Sequence, residues 1–184
     1  LALKSPPRDE EIHHTVGPIF RGMRRYEQAA AAYGNYVNLL PNKDRSDKAA
    51  WSRSQIRFLR SFGEREPIAM AEGAETQVHT VDFRVVDDKV IVKARVNGGR
   101  PQDFVLDTGS ELTTISRQTA SSATVRPITY TLSAGVGEVG LRGLQLGRLD
   151  SLEIGTLRMD NVPALITAPA LRGIPERETE SFSP

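Results

Sequence analysis

The chain has 184 residues, 39% of them hydrophobic, with 24 Lys and Arg against 23 Asp and Glu. That is enough apolar mass for a packed core in one domain or two small ones, and it excludes wholesale disorder. A net charge of +1 gives no global drive toward nucleic acid or an anionic membrane, and the lack of cysteine excludes disulfides, thiol catalysis and cysteine-bound zinc.

No apolar run approaches the ~18–20 residues that a membrane span needs, so none is expected. The chain begins at Leu1 rather than Met. An upstream segment is therefore expected to have been removed, and if it was a signal peptide the protein is secreted or periplasmic.

The first nine residues, with Pro6-Pro7 and charges, read as a flexible lead into a helical segment that ends at residue 63. Gly17-Pro18-Ile19-Phe20 is expected to break any long first helix, so that element is short or kinked. Tyr26, Ala29, Ala30, Tyr33, Val37 and Leu40 recur at three- and four-residue steps, which gives a second helix one apolar face. Pro41-Asn42 stops it. A third helix starts at Asp44 or Ser46, either of which can cap it, carries Trp51, Ile56, Leu59 and Phe62, and ends at Gly63. Gly17, Phe20, Ala29, Tyr33 and Pro41 are spaced in a way that resembles one degenerate tetratricopeptide repeat, with Tyr36 where a small residue is usual. One unit is too little for a free-standing array. The segment is therefore expected to pack on another domain or to come from a longer array, and to offer a place for a protein partner.

Residues 64–76 are polar and small and read as a linker. Period-two alternation follows. Val81, Phe83 and Val85 alternate with Asp82 and Arg84, and Val90, Val92, Ala94 and Val96 alternate with Ile91, Lys93 and Arg95. Asp87-Asp88-Lys89 joins these strands, and Asn97-Gly98 is a strong hairpin signal. Phe104-Val105-Leu106 and Thr113-Thr114-Ile115 then flank Asp107-Thr108-Gly109-Ser110-Glu111. Residues 116–123 suit one short helix. Short strands with glycine turns continue to residue 168, and residues 169–184 read as a flexible tail.

The Asp-Thr-Gly-Ser loop resembles the active-site loop of the aspartic proteases. A single copy in a short domain is similar to the retropepsin-like branch, of bacterial type. The likeness takes in the Lys89–Arg100 strand and turn and the Leu149–Val162 hairpin, and it covers residues 77–168. It implies an α+β chain: a short helical segment followed by an all-β acid protease barrel. It also implies an aspartic endopeptidase acting on polypeptide, with no metal and no organic cofactor. Asp107 then helps bind the attacking water, and Thr108 fastens the turn across a dimer axis. Gly109 allows close backbone approach and unusual dihedrals, and Ser110 donates to the outer carboxylate oxygen of Asp107. A proton-sharing carboxylate pair needs two chains, hence a homodimer. One feature departs from the family. Its apolar-apolar-Gly brace after the second hairpin is matched only by Leu171-Arg172-Gly173. A truncated or altered brace leaves a second class of function open, a non-catalytic scaffold that docks a partner on its helices.

Other patterns have plainer readings. Asp-Thr-Gly alone is also an ordinary turn. The run around Gly135, Val136 and Gly137 is either the tip of a substrate-covering flap or a simple hairpin turn. It is no phosphate loop, because no Lys-Ser/Thr follows. His13-His14 reads as a solvated helix start rather than a metal site, and His79 lacks triad spacing to Ser110. Arg53, Arg57 and Arg60 read as a solvated face. Tyr26, Tyr33, Tyr36 and Trp51 read mainly as helix-pair core.

Overall fold

The computed structural model describes residues 10–41, 43–110, 112–134, 141–167 and 181–182. They fall into two compact units, Leu1–Glu64 with Thr129–Gly143, and Arg65–Ile128 with Leu144–Pro184.

The first unit is built on α1 (Glu10–Gly22), α2 (Tyr26–Leu39) and α3 (Asp47–Arg60). The first helix is short, 13 residues, and stays helical across Gly17-Pro18, with Pro18 inside it. A proline in that place forfeits one helical hydrogen bond, and packing outweighs the loss. At Gly17 the helix backbone presses on the Tyr33 ring of α2, where an added Cβ would lie 2.6 Å from Cε1 and Cζ. Tyr33 is fully buried and meets Trp51 of α3 edge to face, ring centres 5.4 Å apart. Tyr26 and Tyr36 are buried as well, so the tyrosines are helix core as expected.

Ser46 is the N-cap of α3, its hydroxyl accepting from the Ala49 amide at 3.4 Å, and Gly63 follows the helix at φ +57°. The buried face of α3 carries more polar groups than its apolar period suggests: Ser52, Ser54 and Gln55 lie beside Phe58 and Leu59. Each serine hydroxyl has a reason to be inside. Ser52 donates to the Lys48 carbonyl at 2.9 Å. Ser54 donates to the Tyr130 carbonyl at 2.5 Å and sits 3.1 Å from the Thr129 hydroxyl. Because a serine has one proton, Thr129 is the donor in the second contact. Thr129 and Tyr130 belong to β6 (Pro127–Ala134), so part of a strand is held by the helices.

In the second unit, β1 (Ala69–Met70) lies inside the stretch read as a linker and pairs with β8 (Leu157–Thr167). β2 (Phe83–Val86), β3 (Lys89–Val96) and β4 (Gln102–Leu106) form consecutive antiparallel hairpins. Asp87 and Asp88 take positive φ and form the two-residue turn that matches strand twist, while Asn97 and Gly98 also take positive φ but open a longer connection, residues 97–101, before β4. β3 also pairs with β7 (Leu141–Ile154), β7 with β8, and β8 in parallel with β5 (Thr113–Ser116). β9 (Ser181–Phe182) lies between β5 and β4. The pairings therefore run β8, β5, β9, β4, β3, β7 and back to β8. Inside, Val92, Val96, Phe104, Ile115, Leu149, Leu152 and Ile166 form the core. β2 departs from its alternating pattern, because all its residues are exposed, Phe83 at 64%. Its row continues the sheet beyond the layer that Val92 and Phe104 close.

One side chain ties this unit together. The Asn97 Nδ2 donates to the Ala123 carbonyl at 2.9 Å, and its Oδ1 accepts from the Ser151 amide at 3.0 Å. A turn asparagine thus fixes the β3–β4 hairpin against β7 and the end of α4 (Arg117–Ser122), which is the short helix expected there.

Candidate active site

β4 runs from the hairpin turn and stops at Leu106, β5 starts at Thr113, and the Asp-Thr-Gly-Ser loop spans the gap. Both strands are anchored by fully buried residues, Phe104 and Ile115. The loop itself is open: Asp107, Thr108 and Gly109 are exposed and Ser110 is half-buried. A carboxylate is therefore offered to solvent from between two anchored strands.

The Gly109 amide donates to Asp107 Oδ1 at 2.9 Å, and the Ser110 amide reaches the Asp107 carbonyl at 3.3 Å. This turn fixes the side chain with one carboxylate oxygen toward its own backbone. Gly109 does not take a positive φ, so unusual dihedrals are not why glycine stands there. Closeness is: an added Cβ would lie 3.3 Å from Asp107 Oδ1. The Ser110 hydroxyl spends its proton on the Leu112 carbonyl at 2.8 Å, bracing the exit into β5. Sequence reasoning gave Ser110 the donation to the carboxylate; in the fold the Gly109 amide makes a bond of that kind.

Leu171-Arg172-Gly173 lies outside the described residues. Ser181 and Phe182 pair with Val105 and Leu106 on one side, and Ser181 with Thr114 on the other. β9 thereby occupies the space between the two strands that carry the loop. Nothing in so short and polar a tail signals a strand. The end of β8 supports β5 from its other edge, Ala164 to Thr167 matching Thr113 to Ser116.

The remaining candidates separate cleanly. His79 is held away from Ser110, its Nε2 donating to the Ala74 carbonyl and its Nδ1 accepting from Thr156, each at 3.0 Å. Arg53, Arg57 and Arg60 are exposed, Arg53 pairing with Asp44 at 3.4 Å. The side chains of His13 and His14, and Gly135, Val136 and Gly137, lie outside the described residues. Among the described residues no cluster of acids and histidines could hold a metal, and no helix is long and apolar enough to cross a membrane.

Residues 92–179, which hold this loop, its two strands and the β7–β8 hairpin, match the family model described as aspartyl protease. Over these residues the chain is similar to the aspartyl proteases. Solved structures similar to it include a retropepsin-like aspartic protease from Rickettsia conorii, 15% identical, over 58% of this chain and 73% of that one, at a TM-score of 0.39. No curated protein matches. Asp103 on β4 gives up its proton more readily than an ordinary carboxylic acid. A hydrogen bond from Lys93, with Arg84 beside it, holds its carboxyl below the usual value. That acid is tied up in ion pairs, whereas Asp107 has its amide contact and open solvent.

Proposed function

We propose that the chain is an aspartic endopeptidase that works as a homodimer, with Asp107 of each chain facing its mate across a two-fold axis. The observation that carries this reading is the exposed Asp107 carboxylate on an Asp-Thr-Gly turn between β4 and β5, inside a stretch similar to the aspartyl proteases. Two such carboxylates brought together cannot both ionise, so the pair holds one proton. The ionised member takes a proton from a bound water, and the protonated member donates to the scissile carbonyl as the water attacks. In a retropepsin-like barrel the substrate lies extended, and strand edges supply main-chain hydrogen bonds. Thr108 fastens the paired turns, while Gly109 and Ser110 hold the carboxylate and the loop exit. The glycine run at Gly135, Val136 and Gly137 serves as the covering hairpin, and the helical segment, a degenerate tetratricopeptide-like unit, docks a protein partner or substrate.

The test is a peptide-library cleavage assay from acid to neutral pH on the wild type and on Asp107→Asn. The wild type cuts and the variant, equally folded by circular dichroism, does not. Cleavage by both at the same rate refutes the mechanism, and cleavage by neither favours a scaffold.

A further inference from the structure

At the far end of β4 from the catalytic loop, the β3–β4 hairpin and α4 enclose a cavity of about 680 Å³. Five residue steps of ~3.4 Å separate Gln102 from Asp107, about 17 Å, so this is a separate place in the domain. Lys93, Arg100, Gln102, Asp103, Gln118 and Thr119 supply polar lining, with Pro101 and Ala123 among the apolar parts.

The polar groups are arranged as donors. The Ser116 hydroxyl donates to Thr119 Oγ1 at 3.1 Å, and Thr119 Oγ1 donates to Gln102 Oε1 at 2.7 Å. Both hydroxyls belong to buried residues. This chain of bonds has one direction, so it fixes the Gln102 amide with its oxygen engaged and its two N–H donors left over. The lining's carboxylate, Asp103, is already taken by Lys93 at 2.7 Å and by Arg84 at 2.8 Å. Arg100 is exposed and has no carboxylate partner among the described residues. The Gln118 amide is exposed on the facing wall. A cavity with spare donors, an unpaired guanidinium and its own acid neutralised calls for a ligand that brings a carboxylate. Its volume exceeds what one small anion fills, and its apolar parts can receive aliphatic stems.

We propose that this cavity docks an acidic segment of polypeptide, with a carboxylate against Arg100 and the Gln102 amide. That the ligand is a polypeptide rests on the protease reading. The experiment uses the full chain carrying Asp107→Asn, so that nothing is cut, and follows fluorescence anisotropy of a labelled glutamate-containing octapeptide. Its glutamine counterpart and inorganic phosphate serve as controls. The glutamate peptide should bind about tenfold or more tighter than the glutamine peptide, and added salt should weaken it. Arg100→Ala should remove that preference, Arg57→Ala, at an exposed arginine outside the lining, should keep it, and millimolar phosphate should leave the peptide bound. Equal binding of the two peptides, an Arg100→Ala variant that binds as before, or displacement by phosphate at equal strength overturns the proposal. A wild type that cuts no peptide sinks the protease reading alone, and the anisotropy still decides the docking site.

Discussion

Replacing Gly17 by alanine should destabilise the helical unit, although alanine is the better helix former. In an unobstructed helix the exchange gains about 0.5–1 kcal/mol. Here the new Cβ lies 2.6 Å from two atoms of the Tyr33 ring, about 0.8 Å short of ordinary contact. Tyr33 is fully buried and its edge abuts Trp51, so the ring cannot yield without moving a third helix. Overpacking of this kind costs about 1–3 kcal/mol, which leaves a net loss of up to about 2.5 kcal/mol. Gly34 is the control: it lies in α2 with nothing within 4 Å of its Cβ position, so Gly34→Ala should stabilise by about 0.5–1 kcal/mol. Trp51 is the chain's single tryptophan and touches Tyr33, so urea unfolding followed by its fluorescence reads this unit directly. Opposite signs for the two variants support the close approach of α1 and α2. Stabilisation by Gly17→Ala refutes it.

Two further predictions concern the β unit. Asn97→Ala should cost about 2–4 kcal/mol, from two lost hydrogen bonds and a left-handed backbone without asparagine or glycine. Asn97→Gly keeps the backbone and should cost less, so equal losses in chemical unfolding contradict the assignment. Asp103→Asn should cost no more than about 1 kcal/mol at neutral pH, because the Lys93 and Arg84 pairs are partly exposed. The Asp103 carboxyl is held below its usual value, so its contribution is present above the unfolded carboxylate range and fades as pH falls through the lowered value. The gap between wild type and variant should close in acid and in high salt; a gap that widens in acid contradicts the sign.

What the sequence reveals depends on how local the cause is. The second helix, the Ser46 cap and the Asn97-Gly98 hairpin rest on neighbours in the chain, and they stand where the pattern puts them. Asp107 is likewise found between two strands, since apolar runs on both sides of a turn leave little choice. The passage of α1 through Pro18 depends on Tyr33, a residue of another helix. The burial of Ser54 depends on Thr129 and Tyr130, 75 residues or more away. β9 owes its place to the backbone edges of β4 and β5, which leave no mark on the composition of residues 181–182. Phe83 and Val85 keep a strand's alternation yet stay exposed, because alternation reports which face a residue shares and not whether anything covers it.

Mixing wild-type chains with Asp107→Asn chains tests the shared-carboxylate mechanism most directly. If each active centre needs Asp107 from two chains, an equal mixture at fixed total concentration, with chains free to exchange, should cleave at about a quarter of the pure wild-type rate. A rate of about one half shows that each chain acts alone, and contradicts the paired mechanism.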